Sequence, residues 1–323
     1  MVESNRIILG SLGQEWEPYQ RILGFDLDVV CLDGLSAEKI IISKTANSRA
    51  TNKKLGQKIR DNWQLAVEQK AEQLATKGLV EIRNVNGWQE VYFDGERVMY
   101  NGEHPRLEGT QITREGSLEL VISSETYAAN RFFFSSEESK TDKANLIGVN
   151  GITLTNDGFY LTGLRTQTVD YQIESALPAG LIDIISTQKK SSYLPEHPAN
   201  AVAREFGEEL ISPVQPSIAD PKLLGIVYDD KTATYTCSFA LPINVSASQI
   251  SLPQTSFNEH TQILTFRTDY DSLVEKLASL AINRESTSSH LRGDIALLIG
   301  HLYPGAFLDG MIEAAIYVEP RMG

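Results

Sequence analysis

The stretch Glu-His-Pro-Ala-Asn-Ala-Val-Ala-Arg-Glu-Phe-Gly-Glu-Glu-Leu, Glu196 to Leu210, decides how this chain is read. Pro198 suits a first helical position, where its missing N–H costs nothing, and Pro213 stops the helix soon after Glu209. The spacing therefore predicts a helix from Pro198 to Ile211. On its wheel Ala199, Val202, Ala203, Phe206 and Leu210 gather on one side. Glu205, Glu208 and Glu209 gather about a third of a turn away. Like charges at this spacing cost an isolated helix a few tenths of a kcal/mol, so something has to compensate.

Three carboxylates at i, i+3 and i+4 form a patch small enough to share one or two hard cations. Mg²⁺, or alternatively Mn²⁺, takes oxygen ligands, and Mg²⁺ typically combines a few carboxylates with substrate phosphates and water. Arg204, i,i+4 from Glu208, can hold a carboxylate by paired hydrogen bonds. Taken as bare charges, the acids read first as a solvated helix face, which is what acidic runs usually are.

Composition narrows the classes. The 323 residues suffice for two domains, and a net charge of -13 repels nucleic-acid phosphates and anionic lipid, with no Lys/Arg-rich run to offset it. Neither a nucleic-acid nor a membrane partner is expected; nothing in the sequence assigns an oligomeric state. Cys31 and Cys237 lie far apart inside apolar segments, which fits free buried thiols in a reducing, cytoplasmic setting. An acid near the N-terminus and a short apolar run do not suit a signal peptide, and no apolar run reaches the roughly eighteen residues of a membrane span.

The first part of the chain reads as a mixed α/β region. Strands are expected at Ile7 to Leu12, Phe25 to Leu32 and Leu118 to Ser123. Asn52 to Lys77 should be a long helix, with Ile59, Trp63, Val67, Ala71 and Leu74 at helical spacing. Asp94-Gly95 marks a hairpin between Gln89 to Phe93 and Val98 to Tyr100. The polar run from Ser135 to Lys143 suggests a linker, with a surface loop as the alternative. The division drawn there is a smaller N-terminal α/β region, 1–140, and a second domain, 141–323.

Downstream, strands are expected at Ile147 to Thr155, Phe159 to Arg165, Leu223 to Tyr228, Thr234 to Leu241 and Leu264 to Thr268, with a turn at Asn156-Asp157-Gly158. Helices are expected at Ser272 to Ile282 and Ser289 to His301. This alternation predicts an α+β or layered α/β/α fold and argues against an all-parallel sheet.

The order of residue types is more telling than the charges. Glu196, seven residues, Arg204-Glu205, an apolar Phe206, one residue, then Glu208-Glu209 resembles the core of the Nudix box, the signature helix of the Nudix hydrolases. Chance would produce those five charged positions at about one site in a million at average residue usage. Leu177-Pro178-Ala179-Gly180 resembles the glycine entrance of the box, with Ala179 in place of a glycine. Fifteen residues, 181–195, then stand where the family has five, and Ile211 stands where it has its last glycine. A wider resemblance, to the UDP-glucose (UDP-sugar) diphosphatase branch, is carried by the N-terminal extension, the Trp63 helix, Tyr100-Asn101-Gly102, Arg106-Leu107, the insertion in the box and Leu223 to Val227.

The resemblance implies a Nudix α/β/α sandwich with a mixed sheet. It also implies Mg²⁺-dependent hydrolysis of a nucleoside diphosphate linked to another moiety, preferentially UDP-glucose or UDP-galactose. Alternatives are an ADP-ribose, NADH or CoA substrate, or a Nudix-fold module that binds a nucleotide sugar without cleaving it. By position Glu205, Glu208 and Glu209 would be metal ligands and Arg204 would orient one of them. Glu196 would be a peripheral ligand or structural. One of the glutamates or a loop acid, such as Asp229 or Asp230, would act as base, although a solvated hairpin tip is the commoner reading of those two. Arg165 could meet a phosphate, though a surface arginine is the more frequent case; Tyr171 and Phe159 could stack on a base, though core packing is the default for such aromatics; His290 and His301 are expected to be structural.

Overall fold

Strand Leu146–Leu154, buried almost throughout, is the hub of the main sheet. The computed structural model describes residues 7–9, 15–45, 53–134, 145–165, 173–186, 193–216, 221–229, 232–254 and 259–318. Thr234–Pro242 runs parallel to the hub strand on one side. The sheet continues outward from there through Lys222–Asp229, Asp26–Ser36 and Ile7–Leu9, each antiparallel to the one before. On its other side the short strand Ala179–Leu181 pairs antiparallel with the middle of the hub. Glu103–Ile112 joins the beginning of the hub through Arg106 and Leu146, and Phe159–Arg165 joins its end through Tyr160 and Leu154. Glu103–Ile112 pairs onward with Leu118–Thr126, which runs parallel to Ile40–Lys44. Phe159–Arg165 also carries Glu174–Ala176 and His260–Arg267, both antiparallel.

Strand geometry turns successive side chains to opposite faces. Val29 and Cys31 accordingly enter one core and Val30 the other; Ile226 and Val227 divide in the same way. The first core is closed by helix Pro198–Glu209 through Ala199, Ala201, Val202 and Phe206. The second is closed by helices Glu17–Leu23, Tyr270–Ile282, Ser289–Leu302 and Phe307–Val318. The result is the expected mixed sheet between helix layers. A third core joins helices Lys53–Ala75 and Tyr127–Phe134 to a three-stranded antiparallel sheet of Val80–Val85, Trp88–Phe93 and Glu96–Met99. Trp63 is buried there and donates its indole N–H to Gln89 O at 2.8 Å.

Local signals are reliable where turn chemistry is strict. Asp94 and Gly95 adopt φ of 48° and 87°, the paired positive values a two-residue hairpin requires. Asp269 and Ser288 cap their helices by accepting the N–H of Ser272 and Leu291. The strand expected at Leu264 to Thr268 is longer and earlier, His260–Arg267, because much of it faces outward and lacks apolar alternation. The strand expected at Ile7 to Leu12 is described only as Ile7–Leu9. Helices Glu17–Leu23, Tyr127–Phe134 and Phe307–Val318 add to the expected elements; in the last, Phe307, Met311, Ala314, Ala315 and Val318 fall at helical spacing. The main sheet draws strands from both sides of the run 135–143, and that run itself lies outside the described residues. No helix among the described residues is long and apolar enough to cross a membrane.

Candidate functional site

Helix Pro198–Glu209 is fixed at both ends by contacts the box pattern does not contain. At its start His197 Nδ1 accepts the N–H of Ala199 at 3.2 Å, while Nε2 faces Ile40 O at 3.1 Å. The helix is thus capped and tied to strand Ile40–Lys44 by one side chain. At its end Leu210 is already extended, and Ile211 forms a two-bond bridge with Ser251 at 2.8 and 3.0 Å. The helix therefore stops at Glu209, short of the expected Ile211. A left-handed glycine is not needed, because the chain leaves directly into extended backbone.

The insertion folds back on itself. Ile184–Ser186 and Tyr193–Pro195 pair antiparallel, so the two arms of the segment 181–195 run side by side. Their base closes where the N–H of Glu196 donates to Asp183 O at 2.8 Å. Gly180 consequently remains beside the helix despite the added length. A Cβ on Gly180 would come within 2.1 Å of Glu205 Oε1, although its backbone φ is unexceptional. The glycine is required for space rather than for conformation.

Arg204 lies at the centre of the charges. Its Nε and Nη2 reach Glu196 Oε2 at 3.2 and 3.1 Å, and Nη1 reaches Glu205 Oε1 at 2.8 Å and Glu208 Oε2 at 3.3 Å. Nη2 also donates to Leu181 O at 3.2 Å and lies 3.7 Å from Asp183. Burial disfavours the guanidinium charge, but Glu196 and Glu205 outweigh it and hold the group above its ordinary range. Four carboxyl groups, from Asp183, Glu196, Glu205 and Glu208, thus share one guanidinium.

The three box glutamates occupy different environments. Glu205 is buried, and desolvation pushes its carboxyl up to about 8; Arg204 opposes this, while Glu209 and Glu208 add to it. Glu209 accepts the N–H of Ala179 at 2.9 Å on Oε2, and its Oε1 lies 3.5 Å from His260 Nε2. Burial raises the Glu209 carboxyl above its usual range, with His260 and Ala179 acting in the opposite sense. Glu208 remains 59% exposed. Among the described residues no three acidic, His or Cys side chains converge on one point. Arg204 draws Glu205 and Glu208 one way, while the Ala179 N–H holds Glu209. The donor chemistry nevertheless suits a hard divalent cation: all three are carboxylate oxygen donors, two of them buried and one open to solvent.

The other residues singled out in the sequence lie away from this centre or alongside it. Asp229 is buried and within electrostatic reach of His290 and Arg292 on helix Ser289–Leu302, which corrects its reading as a solvated hairpin tip. Asp230, Tyr171 and Lys189 to Ser191 lie outside the described residues. Arg165 pairs with Glu259 and is within electrostatic reach of Glu209 and Tyr127, so it stands at the rim of the glutamate cluster. Phe159 is half-buried at the far end of the same strand. His290 contacts Thr234 Oγ1 at 3.3 Å and His301 Nδ1 faces Leu32 O at 3.1 Å. His260 and Asp183 carry no signal in the sequence, since their roles arise only from strand pairing and the base of the inserted arms.

No family model matches the sequence, and no curated protein matches it. Among solved structures, the chain is similar to the MutT protein from Methanosarcina mazei Go1, with 16% identity over 49% of this chain and 94% of that one, at a TM-score of 0.33. It is also similar to a bifunctional NMN adenylyltransferase/ADP ribose pyrophosphatase from Francisella tularensis, with 12% identity over 41% of this chain and 36% of that one, at a TM-score of 0.29. The form of that enzyme complexed with AMP and a Mn ion gives 11% identity and the same TM-score of 0.29.

Proposed function

We propose that this chain is a Nudix-type diphosphatase that hydrolyses the diphosphate linkage of a nucleoside diphosphate joined to another moiety. The preferred substrate is UDP-glucose or UDP-galactose, yielding UMP and sugar 1-phosphate. The observation that carries the reading is the placement of two buried carboxyls, Glu205 against Gly180 and Glu209 against the Ala179 N–H, on a helix where one guanidinium is shared among four acids. The order of residues from Glu196 to Glu209, which resembles the Nudix box, supports the same reading.

Glu205, Glu208 and Glu209 would hold Mg²⁺ or Mn²⁺. A bound divalent cation supplies charge neutralisation on the diphosphate oxygens and a lowered pKa for bound water. Phosphoryl substitution demands chiefly positioning and electrostatic stabilisation, and the chain's own residues are arranged for that. Arg204 fixes Glu196 and Glu205 relative to each other, and the Ala179 N–H fixes one oxygen of Glu209. Glu208, exposed on the open side, is the carboxylate nearest arriving substrate in this reading. Arg165 would meet the negative charge of the diphosphate from the rim. The division into 1–140 and 141–323 is proposed as one of role: the glutamates belong to the second part, and the first supplies neighbouring surface through Tyr127 and Ile40. A cytoplasmic setting accords with two free, buried cysteines.

A second reading, a module that binds a nucleotide sugar without cleaving it, is favoured by one observation: Arg204 engages both Glu205 and Glu208. The two readings separate when the protein with Mg²⁺ is offered UDP-glucose, ADP-ribose, NADH, CoA and dinucleoside polyphosphates, with Glu208→Gln as the control. Turnover of UDP-glucose that collapses in the variant is expected. Binding without turnover of any of them would establish the module; preference for an adenine substrate would overturn only the UDP-sugar assignment.

A further inference from the structure

His260 is the first residue of strand His260–Arg267 and is only 2% exposed. A buried imidazole normally satisfies both nitrogens, yet among the described residues neither nitrogen of His260 has a hydrogen-bond partner at ordinary distance. The nearest acid is Glu209, whose Oε1 lies 3.5 Å from Nε2. The neighbouring strand makes room for this side chain: a Cβ on Gly163 would come within 2.2 Å of His260 Nδ1. Strand pairing shifts register between Leu164 and Arg165, and Arg165 is the residue aligned with His260. A glycine, a register shift and an otherwise unsatisfied ring thus combine to aim Nε2 at one carboxylate oxygen. The other oxygen of that carboxylate already accepts the Ala179 N–H at 2.9 Å.

We propose that His260 is a positioning residue for Glu209, its Nε2–H fixing the carboxylate so that the group is presented in one orientation to a divalent cation. The inference rests on the proposed hydrolase reading and adds to it a residue outside the box. A side chain that grips a metal-binding group from behind restricts its rotation, and loss of such a partner commonly costs about ten- to a hundred-fold in metal affinity.

Mn²⁺ alone provides the test, with free Mn²⁺ followed by electron paramagnetic resonance and folding followed by circular dichroism. His260→Ala is expected to weaken Mn²⁺ binding by about ten- to a hundred-fold. His260→Gln, whose amide nitrogen falls near the position of Nε2, is expected to recover most of that loss, a rescue that packing alone would not give. Should His260→Ala fail to fold, Gly163→Ala displaces the ring instead and is expected to weaken Mn²⁺ binding while leaving the secondary structure intact. Wild-type affinity in a folded His260→Ala or Gly163→Ala protein, or equal losses in the Ala and Gln variants, would overturn the positioning role while leaving the hydrolase reading standing. A wild-type protein that binds no Mn²⁺ would overturn both.

Discussion

The carboxylate of Glu205 lies directly against Gly180, so close that a Cβ on the glycine would stand 2.1 Å from Oε1. Gly180 belongs to a strand paired with the hub of the sheet, and Glu205 to the helix that packs on the same face. Sheet and helix therefore meet at a glycine because a buried carboxylate needs the space, and the same approach strips that carboxylate of water.

Gly180→Ala should act through this contact. The added methyl forces Glu205 to move, and on the proposed hydrolase reading a displacement on the order of 1 Å there can cost about a hundred-fold in rate. The expected result is a loss of kcat/KM of about that size for the diphosphate substrate, with the far-ultraviolet spectrum unchanged. Steady-state kinetics across the substrate panel checks it.

Arg204→Lys should be costly although it keeps the charge. Arg204 contacts Glu196, Glu205, Glu208 and the carbonyl of Leu181 at once, and a lysine ammonium cannot span them. Loss of these charge-assisted bonds is expected to lower stability by about 1–3 kcal/mol. Urea denaturation measures this, and Arg204→Met should be at least as damaging.

Glu205→Gln should stabilise the metal-free protein at alkaline pH while abolishing turnover. The folded carboxyl is raised to about 8, above its unfolded value, so its contribution is fully present below the unfolded pKa and is lost as pH rises through about 8. In EDTA the variant should melt close to wild type near pH 5. It should melt higher near pH 9, by about 2–4 °C for each kcal/mol recovered. Scanning calorimetry at the two pH values is the measurement.

Asp294 makes an independent pH dependence on the other face of the sheet. It is fully buried on helix Ser289–Leu302, where it accepts hydrogen bonds from Asn150 Nδ2 at 2.8 Å and from Ser238 Oγ. Burial is the main cause that raises it to about 7, with both hydrogen bonds opposing. Its contribution is therefore complete below the unfolded pKa and lost as pH rises through about 7. Asp294→Asn should reduce the fall in stability between pH 5 and 8, read as the difference between wild-type and variant urea midpoints at each pH.

What the sequence determined was local. Helix Pro198–Glu209, its apolar side and the spacing of its acids follow from a repeat of 3.6 residues, and the Asp94-Gly95 hairpin from two residues that tolerate positive φ. Helix Phe307–Val318 carries the same kind of apolar spacing, although it is not among the elements expected. Tertiary structure decided what each carboxylate meets. Gly180, Ala179, Asp183 and His260 reach the glutamate helix through strand pairing and the base of the inserted arms, so their approach depends on register between segments distant in sequence. The same packing buried Asp229 within electrostatic reach of helix Ser289–Leu302 and ended the glutamate helix in a bridge to Ser251. Spacing along one helix fixes which acids stand together, but their desolvation is set by the strands that close over them.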